Sequence, residues 1–377
     1  MMPAPRAGGG RDRSIDALRA GAVVAVVSGH WLVTAVVVDD YGMSVTSPLR
    51  DLPDLAPLTW VLQALAPFFC AAGFAAARTL DGGRAWRSWF HSRAVALLPA
   101  VGTLVAFWAA LLGVLLLGGF PVATLRSIGK LVVSPLWFLA VLLLLWAAWP
   151  ALDRLDRRLR GFAMMLPAAV VGLDDVARNG GLAVPAHAQS VLGASALICA
   201  WMVPFLFGIR LARGGGPRRA GGLAMLLAGA AAMTVLILWA GYPASAVGVA
   251  GDPRSNLAPP SLLVLALAAV QLGLFVLVRR QPGPARRTGH PLLALNTVAL
   301  PVFLWHQSAL LLLVIAAAES APVDGLAGAP EGLAWVLQRL VWFPALALVL
   351  AGLVVLLSPG RLGSAGRRPS RYRAGST

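Results

Sequence analysis

Long apolar runs alternate with short polar, arginine-bearing segments along the whole chain. The runs lie near 17–39, 57–78, 94–118, 131–152, 161–177, 190–209, 220–242, 259–278, 291–318 and 333–357. A helix needs about 20 mostly apolar residues to cross a bilayer, so the runs read as transmembrane helices. The fifth is the weak one: it is short, contains Pro167 and ends at Asp174 and Asp175.

Charge decides whether that fifth run counts. With ten spans and an inner N-terminus, the inner segments hold most of the 31 lysines and arginines. They include Arg6, Arg11, Arg13 and Arg19, the Arg78–Arg93 and Arg154–Arg160 groups, and the Arg210–Arg219 group. Arg279, Arg280, Arg286, Arg287 and the tail arginines complete the set. The outer loops keep only Arg50, Arg126, Lys130, Arg178 and Arg254, with Arg339 just inside the last span. Dropping span five would turn every later basic cluster outward, against the positive-inside bias. The reading is therefore an all-α polytopic bundle of about ten transmembrane helices with both termini cytoplasmic. Residues 1–16 form a basic leading segment, 17–357 the membrane domain, and 358–377 a basic tail expected to be disordered.

Composition agrees. Hydrophobic residues make up 59% and charged residues 12% of the chain, against roughly a quarter charged in a soluble domain. A net charge of +16 would suit nucleic acid, but its clustering beside apolar spans points to the lipid bilayer instead, and no nucleic-acid partner is expected. The two cysteines, Cys70 and Cys199, sit inside apolar runs with no zinc-ligand spacing, so no metal is expected. The Ala-, Gly- and Arg-rich usage with a single lysine suggests a bacterial source.

Ionisable groups deep in a membrane are costly and mark function by default. Two lie near mid-span, His30 in the first and His306 in the ninth. Both fall on helices that run from inside to outside, about 20 Å from the inner end. Arg19 precedes His30 by eleven residues, nearly three helical turns, so the two share a face about 16 Å apart. A cation at the cytoplasmic mouth with an imidazole above it suits a long anionic substrate such as acyl-CoA. The alternative for Arg19 is inner-face anchoring, and for either histidine a helix–helix hydrogen bond. Asn296 and Gln63 read as hydrogen-bonders between helices.

The segment from Arg13 through Asp16 and Arg19 to His30 resembles the opening of the acyltransferase 3 family, bacterial membrane enzymes that move acyl groups onto hydroxyls. Four more segments match in order: Ala66–Gly73, Ser134–Leu139 around Trp137, Val203–Gly208, and Val302–Gln307 around His306. The family's Arg-x-x-Arg pair before a proline is half kept, with Arg93 and Pro99 present and Ala96 in the second arginine position. The resemblance implies an O-acyltransferase of the bacterial inner membrane. Its donor would be acyl-CoA, most often acetyl-CoA, as co-substrate with no bound cofactor. Its acceptor would be a hydroxyl of a sugar, lipid or small molecule. It implies His30 and His306 as catalytic, with Arg19, Arg93 and Trp137 toward the donor. A proton-coupled transporter or flippase, or a non-catalytic scaffold, remains open at this stage.

Overall fold

The computed structural model describes residues 12–39, 42–249, 252, 254–279, 290–317 and 323–358. Residues 1–11, Arg280, Arg286, Arg287 and the tail beyond 358 lie outside the described residues. The chain opens with α1 (Arg13–Val33), a hairpin of β1 (Ala35–Asp39) and β2 (Gly42–Thr46), and short 3-10 turns at Pro48–Arg50 and Pro53–Leu58. It continues through α2 (Thr59–Leu62), α3 (Leu65–Leu80), α4 (Trp86–Leu117), α5 (Val122–Val133), α6 (Leu136–Ala147) and α7 (Trp149–Leu159). A 3-10 turn at Arg160–Met164 leads into α8 (Met165–Arg178), α9 (Ala186–Ala212), α10 (Arg219–Leu238) and α11 (Leu262–Val278). The last helices are α12 (His290–Ala317), α13 (Leu333–Val341) and α14 (Phe343–Leu357).

The protein is an all-α integral membrane bundle. Among the described residues seven helical segments are long and apolar enough to span, and the α13–α14 pair, bent by 45°, makes an eighth. The two remaining expected spans correspond to α8, 14 residues, and α11, 17 residues.

Several boundaries differ from the sequence reading, each for a local reason. The first span stops at Val33 and not near 39, because Ala35–Asp39 pairs antiparallel with Gly42–Thr46. Val36, Val37 and Val38 are β-branched and favour the strand, while their apolarity alone had read as more helix. The second span is broken at Gln63–Ala64. Pro67 lacks an N–H and its ring disfavours a helical bond to the carbonyl four residues back, Gln63. That carbonyl and the one of Trp60 are both taken by the Gln271 amide of α11, at 2.8 Å each. Irregular backbone at membrane depth survives only when its polar groups are satisfied in this way. The fourth span begins at Val122, nine residues early, and breaks at Ser134-Pro135, so Arg126 and Lys130 are helical and not in a loop. A proline at the second position of α14, Pro344, accompanies the bend at Trp342.

The helices are stapled by close backbone approach and by polar ties. A Cβ on Gly73 of α3 would lie 2.0 Å from the Phe205 carbonyl of α9, and one on Gly208 of α9 would lie 2.0 Å from the Cys70 carbonyl. Glycines here let the two backbones touch, as small residues do between membrane helices. The parallel pair α1 and α12 is tied at one end by Asn296 Nδ2 donating to the Asp16 carbonyl at 2.9 Å. At the other, Trp31 Nε1 donates to the His306 carbonyl at 2.9 Å.

Two charge networks cap the bundle. On the expected inner face Arg213 bonds Asp81, Asp153 and Asp156, joining the ends of α3 and α9 to α7. Its guanidinium is held above the usual range, first by the Asp81 hydrogen bond. On the opposite face Asp174 and Asp175, which end the weak fifth run, are buried. Their oxygens are occupied: Asp174 by Arg178 and Gln189, Asp175 by Tyr242, Asn179 and the Leu262 amide. Burial, then the bond to Asp175, pushes the Tyr242 hydroxyl up to about 12.

Candidate active site

The parallel run of α1 and α12 sets His30 and His306 at one height. Their rings lie 4.9 Å apart, tilted by 51°. Trp108 of α4 locks the third helix at the same level, its Nε1 donating to Ser308 Oγ at 2.9 Å.

His30 faces a cavity of about 320 Å³. Its walls come from the ends of α1 and α2, the hairpin strand β2, the Ser134-Pro135 break, and the loop carrying Val247 and Gly248. These are segments the charge pattern assigns to the outer side. Thr59, Gln63, Ser134 and Gln307 add neutral hydrogen-bonding groups, while Phe138, Phe303 and Val26 close the floor. Among the described residues that line it, His30 is the one titratable side chain.

The two histidines differ in setting. His306 is wholly buried and does not line the cavity. Its Nδ1 is 2.6 Å from the Phe303 carbonyl, which can only accept, so Nδ1 carries the proton. The other nitrogen, Nε2, is a bare acceptor with no partner among the described residues. His30 Nδ1 lies 3.0 Å from the Gln307 amide nitrogen.

The other expected site residues fall apart from this pair. Trp137 does wall the cavity and packs 6.2 Å from Trp201. Arg19 is half-buried on the same helix as His30, about 16 Å toward its N-terminus, and does not reach the cavity. Arg93 is exposed on α4, with its guanidinium 5.8 Å from the Trp89 ring. It lies fifteen residues, about 22 Å of helix, from Trp108 beside the histidines. The structure thus joins His30, His306 and Trp137 and leaves both arginines toward the other end.

Sequence reasoning missed two buried polar residues. Gln307 was visible next to His306 but carried no role, because a single glutamine gives no sign of its partner. Arg339, placed just inside the last span, is fully buried, 4.6 Å from the Trp335 ring. Its Nη2 reaches the Leu326 carbonyl at 3.4 Å, and Nε and Nη1 have no acceptor among the described residues. Among those residues no group of three His, Cys, Asp or Glu could hold a metal ion.

No curated protein and no solved structure matches the chain. A family model does, the one described as Acyltransferase domain, over residues 12–358. That match runs from the cap of α1 to the end of α14 and takes in both histidines, Trp137 and all five resembling segments. A single helical membrane unit matched from end to end belongs to the acyltransferase 3 family, and the protein is a membrane O-acyltransferase.

Proposed function

We propose that the protein moves an acyl group, most simply acetyl, from acyl-CoA at the cytoplasmic face to a hydroxyl of a sugar, lipid or small molecule held in the cavity. The observation that carries this reading is the pairing of His30, the titratable side chain of the cavity, with buried His306 behind it. Imidazole is the side chain suited to take and return a proton near neutral pH. His30 Nε2 takes the acceptor's hydroxyl proton as the oxygen attacks the thioester carbonyl. The carbon–sulfur bond then breaks, and the same nitrogen returns the proton to the leaving thiolate, giving ester and free CoA. A two-step route through an acyl-imidazole on His30 balances equally.

Arg19 and Arg93 are assigned to the donor's phosphates, for which guanidinium forks are well matched. Their distance from the cavity is consistent with an extended donor whose charged end stays at the inner mouth while its thioester reaches inward. Trp137 walls the place where acyl group and acceptor would meet. The neutral lining supports an uncharged acceptor hydroxyl, and we assign the enzyme to a bacterial inner membrane.

The test is transfer of radiolabelled acetyl from acetyl-CoA in isolated membranes, wild type against His30→Ala at matched expression. Label entering a glycan, lipid or small-molecule fraction only with wild type is the expected result. Equal label in both would remove His30 from the mechanism.

A further inference from the structure

We infer that Gln307 is the positioning residue that makes His30 a base, by accepting the Nδ1 proton through its amide oxygen. This rests on the acyltransferase reading above. Three observations carry it. Gln307 is 2% exposed and its amide stands 3.0 Å from Nδ1 of the half-buried His30, a part-buried contact at the cavity wall. Gln307 Oε1 is buried with no partner among the described residues, an arrangement that costs about 1–3 kcal/mol. The third concerns proton placement. With the amide nitrogen facing Nδ1, that ring nitrogen must accept, and the proton of a neutral His30 sits on Nε2. A protonated Nε2 cannot take a hydroxyl proton.

A half-turn of the carboxamide exchanges oxygen and nitrogen in almost the same space. Oxygen then accepts from Nδ1–H, Oε1 is satisfied, and the Nε2 lone pair is free for chemistry. The amide NH2 then takes the buried place that Oε1 held, behind the cavity wall to which Gln307 contributes. A carboxylate would hold the same tautomer but would bury a charge, costly at this depth without a cation. Among the described residues that line the cavity none supplies a cation, and the titratable group facing His30 is His306. An amide thus fixes the tautomer while keeping the site neutral. Gln307 acts through His30 and not on the reacting atoms.

Two substitutions separate positioning from packing. Gln307→Met keeps length and volume but cannot accept a proton; Gln307→Glu keeps the accepting oxygen. We expect Gln307→Met to lose about 100-fold in kcat with KM unchanged, and Gln307→Glu to stay within about tenfold of wild type. A packing role gives the reverse order, with the thioether tolerated and the buried charge harmful, and would overturn the inference. The second measurement needs no substrate. Carbethoxylation of His30 by diethyl pyrocarbonate, followed by mass spectrometry on detergent-purified protein, reports an accessible ring nitrogen with a free lone pair. Slowing of at least fivefold in Gln307→Met supports the assignment, and an unchanged rate overturns it. If wild type transfers no acetyl, the acyltransfer reading fails, while the carbethoxylation comparison still decides the role of Gln307.

Discussion

At the scale of single residues, the most informative feature is an acceptor with nothing to accept. His306 Nδ1 is spent on the Phe303 carbonyl, and Nε2 is buried and unpartnered among the described residues. Leaving such a group unpaired costs about 1–3 kcal/mol, which a purely structural position would shed by becoming apolar. His306→Leu should therefore leave the melting temperature of the detergent-purified protein unchanged or raise it by a few degrees. Acetyl transfer should fall at least tenfold, because the ring that packs behind His30 is lost. A variant that transfers acetyl at the wild-type rate would remove His306 from the chemistry. A variant that melts well below wild type would make its role structural. Both histidines were legible from the sequence, as titratable groups expected at one depth on two helices that run parallel. Their contact was not, because depth along a helix says nothing about which neighbour that helix packs on.

At the scale of elements, the resembling segments prove to be contact surfaces. Ala66–Gly73 of α3 and Val203–Gly208 of α9 meet each other at glycines where no Cβ fits. Gly73→Ala puts a methyl 2.0 Å from the Phe205 carbonyl, so the helices must part, at a cost on the order of 3 kcal/mol or more. Gly102 lies in α4 with nothing within 4 Å of an added Cβ, and Gly102→Ala should gain up to about 1 kcal/mol from helix propensity. Thermal unfolding of the two variants in one detergent checks the contrast; equal melting temperatures would mean that α3 and α9 do not touch as described. Helix positions were legible here because twenty apolar residues have few other uses. The breaks were not. Val36–Val38 reads as apolar whether helix or strand, and the Gln63–Ala64 break depends on Gln271, more than two hundred positions away. Pro67, Pro135 and Pro344 accompany the three broken or bent spans, yet the prolines at 99, 204 and 301 sit inside unbroken helices. A proline alone does not tell a break from a tolerated kink; the partner that takes its freed carbonyl does.

At the scale of the whole molecule, the direction of the proposed transfer depends on whether the cavity and the arginine-rich helix ends face opposite sides of the membrane. It rests on α8. That helix is 14 residues, about 21 Å, too short to cross alone. The five-residue 3-10 turn before it adds about 10 Å if the two are collinear, which brings the pair near the 30 Å of a bilayer core. If α8 crosses, the Arg213 cluster and the Arg84–Arg93 segment share the inner face, and the loops around the cavity share the outer one. Cysteines placed at Gly161 and at Leu182, either side of α8, read this directly in a Cys199→Ala background. With an impermeant maleimide on intact cells, Leu182→Cys should label at once and Gly161→Cys only after lysis. Labelling of both or neither on intact cells would mean that α8 turns back. The later basic clusters would then face outward, in conflict with the Arg213–Asp81 and Arg213–Asp156 pairs and the positive-inside pattern, and a cytoplasmic donor could not be assigned to the arginine side. The reverse pattern, with Gly161→Cys exposed and Leu182→Cys protected, would invert the bundle. It would open the His30 cavity to the cytoplasm, where donor and acceptor could both enter from one side and no acyl group need cross the membrane.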